Sequence, residues 1–195
     1  MISENELRRL AAVAGVDAMV HDLDYGLGWF LAGLFSQTSA SDYVIFKGGT
    51  CLRKCYYADY RFSEDLDFTL ARNWTQEDIR SAIETVLAWS IEADGPDFGA
   101  APLRIDILND EYGKESLQAR IYYRGPLRWG GPPRVLQLDM SREETMVFPV
   151  CMQPLHHAYS DAERLPKVVI PCYSTTEMLA EKLRGLDHRK WRLRF

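Results

Sequence analysis

Two glycines, followed about one helix later by an alternating pair of aspartates, constrain this chain most. The first run is Phe46-Lys47-Gly48-Gly49-Thr50 and the second is Arg61-Phe62-Ser63-Glu64-Asp65-Leu66-Asp67-Phe68. Gly48 and Gly49 let the backbone approach an anion closely, and a helix that starts there aims its free N–H groups at it. Side chains two apart on a strand share a face, so Asp65 and Asp67 converge while Leu66 and Phe68 face a core. Carboxylate oxygens are hard ligands that suit Mg²⁺ held together with substrate phosphates. A phosphate-cradling turn beside a metal-holding strand is the apparatus of phosphoryl or nucleotidyl transfer.

The flanking sequence supplies helices first and strands later. Ser3-x-x-Glu6 reads as a capping box for a short helix carrying Leu7, Leu10 and Ala11. Val20, Leu23, Leu27, Phe30, Leu31 and Leu34 recur at spacings of three and four, which predicts a longer amphipathic helix over 17–36. A strand is expected over 43–46, a helix over 50–57, a strand over 65–70, and a helix capped by Thr75-x-x-Asp78 running to about Glu92. Residues 94–102, rich in glycine and proline, read as a loop. Strands are then expected over 103–108, 117–123, 135–140 and 168–170, with Gly130-Gly131-Pro132-Pro133 connecting two of them, and a closing helix follows the cap Ser174-x-x-Glu177. The pattern predicts an α+β fold: a small mixed β-sheet flanked by helices, with a helical N-terminus.

With 195 residues, one domain over 1–195 is expected, large enough to bury its own core. No apolar run is long enough to span a bilayer, and the N-terminus lacks the basic start and apolar stretch of a secretory signal. The four cysteines, Cys51, Cys55, Cys151 and Cys172, have no C-x-x-C spacing, and Cys51 and Cys55, four apart on a helix, read as packing. A cytoplasmic, reduced protein is expected. The net charge of −5 argues against tight, non-specific nucleic-acid binding by the whole surface. Local exceptions are the tail from Lys182 to Arg194 (with Arg184, Arg189, Lys190 and Arg192) and the basic-aromatic run Arg120 to Trp129. Each could track a phosphate backbone, or could be a solvated helix end and hairpin.

Further candidates stand beside the glycines and aspartates. Asp139 leaves an otherwise apolar strand on the face opposite Leu138 and Met140, so a neighbouring strand could set it beside Asp65 and Asp67; it is otherwise an edge carboxylate in solvent. Asp106, in Arg104-Ile105-Asp106-Ile107-Leu108, alternates in the same way and is its rival. Lys182 flanks the stripe formed by Met178 and Leu179, where it either meets an anion or snorkels. Lys47 is a phosphate contact or a strand-end charge. Thr50 and Ser63 offer hydroxyls, and Thr50 is alternatively a helix cap. Tyr56, Tyr57, Tyr122, Tyr123 and Trp129 are either base-stacking or core residues. His156 and His157, adjacent on an irregular segment, point apart and make a poor metal pair.

The string F-K-G-G-T-C-L-R-K-C-Y…Y-R-F-S-E-D-L-D-F resembles the core motif of the AbiEii/AbiGii-type nucleotidyltransferase toxins, the MenT-like enzymes of toxin–antitoxin and abortive-infection systems. The similarity is dense over 44–70 and looser at Asp24-Tyr25 and Trp29-Phe30-Leu31. It returns at Leu136 to Ser141, followed by Glu143 and Glu144, and again at Glu177 to Arg184. The resemblance implies Asp65, Asp67 and Asp139 as metal-binding and catalytic carboxylates, favouring Asp139 over Asp106. It implies phosphate binding by Gly48, Gly49, Thr50 and Lys182, with Lys47 and Ser63 beside them. It further implies Mg²⁺ as cofactor, an NTP as substrate, the tRNA 3′ end as acceptor, and a cognate antitoxin protein as partner. Relatives continue past the E-K-L-R helix with an R-D-x-x-D-like segment; the sequence here ends at Arg192-Leu193-Arg194-Phe195, so a shortened C-terminal helical part is expected. The alternative is a shortened relative that binds NTP, turns over poorly and acts as an interaction protein. A third reading has a protein or small molecule as the acceptor.

Overall fold

The computed structural model describes residues 1–109, 115–128, 130–142 and 145–192, with side chains in the last helix described as far as Arg184. Trp129, Glu143, Glu144 and Arg194 lie outside the described residues, as do the side chains of Leu186, Arg189, Lys190 and Arg192.

Alternation builds the sheet. In β2 (Asp65–Leu70) Leu66 and Phe68 are fully buried, and in β5 (Arg134–Ser141) Leu136, Leu138 and Met140 are buried while the residues between them are not. Each such side chain taken fully from water contributes about 1.5–3 kcal/mol. The other strands are β1 (Val44–Lys47), β3 (Asp97–Asn109), β4 (Glu115–Arg124), β6 (Cys151–Pro154) and β7 (Val169–Cys172). Among the described residues they form one seven-stranded sheet in the order β3-β4-β5-β2-β1-β7-β6. It is mixed: β2 runs parallel to β5 and β1 parallel to β7, while the other neighbours are antiparallel.

Helices cover the apolar face. Helix α2 (Ala18–Gln37) is capped by Asp17, whose side chain accepts from the Met19 N–H at 2.7 Å. The expected amphipathic helix is instead buried on all sides from His21 to Phe35. Phe35 meets Phe68 of the sheet, Trp29 meets Trp89 of α4 (Gln76–Glu92), and Leu7 of α1 (Glu4–Ala14) is fully buried. Polar residues on so enclosed a helix must find partners. Asp22 does so by accepting from the Leu127 N–H at 2.9 Å and the Tyr123 hydroxyl at 3.2 Å.

The caps behave unequally. Thr75 and Asp78 make both bonds of a capping box. Ser3 accepts from the Glu6 N–H, but the Glu6 carboxylate turns outward to Ser160, so half of the box expected there is absent. The segment expected as a loop over 94–102 is largely strand, because β3 begins at Asp97 with register shifts before Arg104 that accommodate Gly99 and Pro102. No helix among the described residues is long and apolar enough to cross a membrane.

Candidate active site

The glycine turn follows β1 directly. Helix α3 (Gly48–Cys51) begins at Gly48 and passes into a π-helical turn over Leu52–Tyr56. Gly48 has φ +80°, a conformation that side chains other than glycine rarely adopt. A Cβ there would stand 2.2 Å from Oδ2 of Asp67, and one on Gly49 would stand 2.8 Å from the Ser63 hydroxyl. The glycines thus let the helix start lie directly against the aspartate strand.

Strand register gathers the acids. Asp65 pairs with Gln137 and Asp67 with Asp139 across β2 and β5, and Lys47 pairs with Asp67 across β1 and β2. Residues in register share a face, so Asp139, Asp67 and Lys47 form one row over three adjacent strands. Asp139 is held from both sides: Gln118 donates to one carboxylate oxygen and Gln137 to the other, each at 2.8 Å. Arg120 orients Gln118 through its carbonyl oxygen at 2.7 Å. Asp106, the rival, pairs with Gln118 on the outer strand, about 10 Å from Asp139 by strand spacing, and is exposed.

The row is electrostatically crowded. Burial pushes the Asp67 carboxyl up to about 6; the Lys47 ammonium opposes this, and the charges of Asp139, Asp65 and Glu181 add to it. Burial also raises Asp65, with Asp139 and Glu64 adding to the effect. Lys47 is ion-paired with Glu181 of α5 (Thr175–Arg192) at 3.2 Å, and its ammonium lies 5.5 Å from the Tyr173 ring centroid. All-oxygen donors that repel one another have the chemistry of ligands for a hard divalent cation such as Mg²⁺, but the carboxylates of Asp65, Asp67 and Asp139 do not all come within 4.8 Å of one another here.

A cleft of about 610 Å³ opens beside this row. Gly48, Gly49, Ser63 and Asp67 line one side, while Met178, Glu181 and Lys182 of α5 line another; Leu52, Tyr60 and Arg61 close it further. Lys182 is exposed there, on the cleft side of its helix. Thr50 stands apart from the cleft lining. It is buried inside the helix rather than at its cap, and its hydroxyl donates to the Asp65 carbonyl at 2.6 Å, fastening the helix to the aspartate strand.

Behind the cleft lies a buried polar cluster whose members the sequence reading largely missed. Asp24 of α2 accepts from Arg53 at 2.8 Å, Lys54 at 2.7 Å and the Tyr159 hydroxyl at 2.8 Å. Burial alone would raise its pKa, but Lys54 and Arg53 hold it down at about 2. Arg53 continues outward, donating to the carbonyls of Ala58 and Tyr60 and stacking 3.7 Å from the Phe62 ring centroid. It thereby fixes the segment that presents Tyr60 and Arg61 to the cleft. The sequence signal was Asp24 in the middle of an apolar helix, where a carboxylate requires a cation.

Several other candidates are held within the fold. Tyr123 is fully buried, and the Tyr56 hydroxyl donates to the Tyr173 carbonyl at 2.7 Å. His157 is buried against Asp161 at 3.3 Å, and the His156 N–H donates to the Lys54 carbonyl. Glu177 is buried and accepts from the N–H groups of Val147 and Phe148, clamping that segment to α5.

Residues 29–194 match the protein family described as nucleotidyl transferase AbiEii toxin, type IV TA system. No curated protein gives a significant match.

Proposed function

The chain belongs to the AbiEii family of nucleotidyl transferase toxins, and on that premise we propose that it moves the NMP of an NTP to an acceptor hydroxyl in a Mg²⁺-dependent reaction. The observation that most supports this reading is the pairing of Asp67 with Asp139 in register, with the Gly48 backbone against Asp67.

Asp65, Asp67 and Asp139 are the residues that would hold Mg²⁺, which when bound would offset the triphosphate charge and polarise the reacting oxygens. Gly48 and Gly49 present backbone N–H groups to the β- and γ-phosphates, and Ser63 adds its hydroxyl. Lys182 reaches the same phosphates from α5 and neutralises their charge. Lys47, tethered by Glu181, limits the repulsion that the incoming phosphates would meet from Asp67. Thr50 acts through the strand, by fixing the Asp65 backbone. Asp139, oriented by Gln118 and Gln137, takes the proton as the acceptor oxygen attacks the α-phosphorus. The bond from that phosphorus to the bridging oxygen breaks, and pyrophosphate leaves.

The acceptor in this proposal is the 3′ end of tRNA, as the resemblance to the MenT-like enzymes implies, and a cognate antitoxin relieves the resulting block on growth. Intact tRNA and tRNA whose terminal diol has been oxidised with periodate provide the test, each incubated with the protein, Mg²⁺ and the four NTPs. Intact tRNA should lengthen and oxidised tRNA should not. Equal labelling of both, or labelling of the protein alone, would reject the 3′ end as acceptor.

A further inference from the structure

The cysteines are scattered in sequence but gathered in space. Cys51 and Cys55 stand four apart on the helix that begins at the glycine turn, and Cys172 arrives from β7. Their three sulfurs all lie within 4.8 Å of one another, and all three residues are buried. Cys172 pairs with Phe46 across parallel strands, so it faces the core side of the sheet, away from the aspartate row. Cys151 of β6 is the register partner of Cys172 and is half-buried, with its thiol 3.8 Å from the Pro149 carbonyl.

We propose that Cys51, Cys55 and Cys172 form a structural site for a thiophilic d¹⁰ cation of the Zn²⁺ class, with Cys151 as its fourth ligand. A zinc–thiolate bond is about 2.3 Å, so tetrahedral sulfurs stand about 3.8 Å apart, and the observed cluster needs only a small contraction to meet this. Directly opposed side chains on antiparallel strands lie on one face, so Cys151 stands on the same side of the sheet as Cys172, and ligation would require its side chain to rotate away from Pro149.

Charge supports the assignment. Four thiolates around one divalent cation leave a net charge of −2, which a neighbouring positive charge offsets in part, and each thiol that ligates releases its proton. Next to Cys55, the cluster of Asp24, Arg53 and Lys54 joins two cations to one anion and so carries a net charge of +1. A filled site would pin the helix behind Gly48 to β6 and β7, and it stands independently of the catalytic reading.

Cd²⁺ titration of the reduced, metal-stripped full chain provides the test. One equivalent should saturate an ultraviolet thiolate-to-cadmium charge-transfer band and release protons, and Cys172→Ser or Cys55→Ser should abolish that band. A wild-type chain without the band, or a band undiminished in folded Cys172→Ser, would overturn the proposal. Should the variants fail to fold, alkylation of the wild-type chain mapped by mass spectrometry decides. One equivalent of Zn²⁺ should slow modification of Cys51, Cys55, Cys172 and Cys151 at least tenfold, and unchanged rates would overturn the proposal.

Discussion

The Gly48 backbone rests against the Asp67 carboxylate so closely that even a methyl group at Gly48 would come within 2.2 Å of Oδ2. The turn proposed to cradle phosphates and the strand proposed to hold metal are therefore one packed unit. A change in either must displace the other.

Gly48→Ala should follow from that contact. The alanine would have to hold φ near +80° and push Asp67 aside. We expect a stability loss of about 1–2 kcal/mol, seen as a Tm drop of roughly 2–8 °C. The stabilisation by Mg²⁺ and NTP should disappear as well. Differential scanning fluorimetry with and without ligand checks both, and a variant that keeps the full ligand shift would contradict the account.

Asp67→Asn and Asp139→Asn should each lower turnover by about a hundredfold or more, the scale of losing one electrostatic contribution to a transition state. Neither should disrupt the fold, since both side chains lie on the less buried face of their strands. Asp106→Asn, on the same face but two strands farther out, should leave the rate unchanged. Steady-state rates for the three variants test the assignment.

Asp24 predicts an acid dependence. Its folded-state pKa lies near 2, below the ordinary value of 3.8, so its stabilisation is present above pH 4 and is lost as pH falls towards 2. That stabilisation is about 2 kcal/mol. Asp24→Asn should remove this dependence while lowering stability at pH 7 by about 3–5 kcal/mol, because Lys54 and Arg53 are left buried without a counter-charge. Thermal melts of both proteins across pH 2–7 provide the measurement. Arg53 also fixes the Tyr60 segment, so the variant should bind nucleotide more weakly although Asp24 lies outside the cleft.

Lys182→Ala should reduce the thermal shift given by NTP with Mg²⁺ and leave that given by NMP nearly unchanged. Equal shifts from NTP and NMP in the wild-type chain would mean that the phosphate tail is not being read.

Local periods and caps located most of the helices and strands, although the Ser3 box is only half made and the periodic helix over 17–36 is buried on every side. The 65–70 strand, the Thr75 cap and the convergence of Asp65 with Asp67 were legible because each depends on residues a few positions apart. Asp139 was legible as a candidate by its alternation, but its place beside Asp67 depends on a parallel pairing across more than seventy residues that no local signal carries. Strand β6 was missed because four residues ending in a proline resemble an irregular segment. The buried Asp24 cluster and the gathered cysteines were hidden for a related reason: their partners come from β7 and from residues 156–161, far away in the chain. Thr50 shows the opposite limit, since its type and position suited a phosphate while its hydroxyl is committed to Asp65.

The central claim is transfer of the α-phosphoryl group at the carboxylates of Asp65, Asp67 and Asp139, and position-specific labelling tests it most directly. Each NTP, labelled at either the α- or the γ-phosphate, is incubated with the protein, Mg²⁺ and total RNA, and the RNA is then separated from protein and small molecules. The account predicts that α-label from at least one NTP enters RNA, that γ-label appears only in pyrophosphate, and that Asp67→Asn does neither. Incorporation of γ-label, or no incorporation of α-label from any NTP, would contradict it.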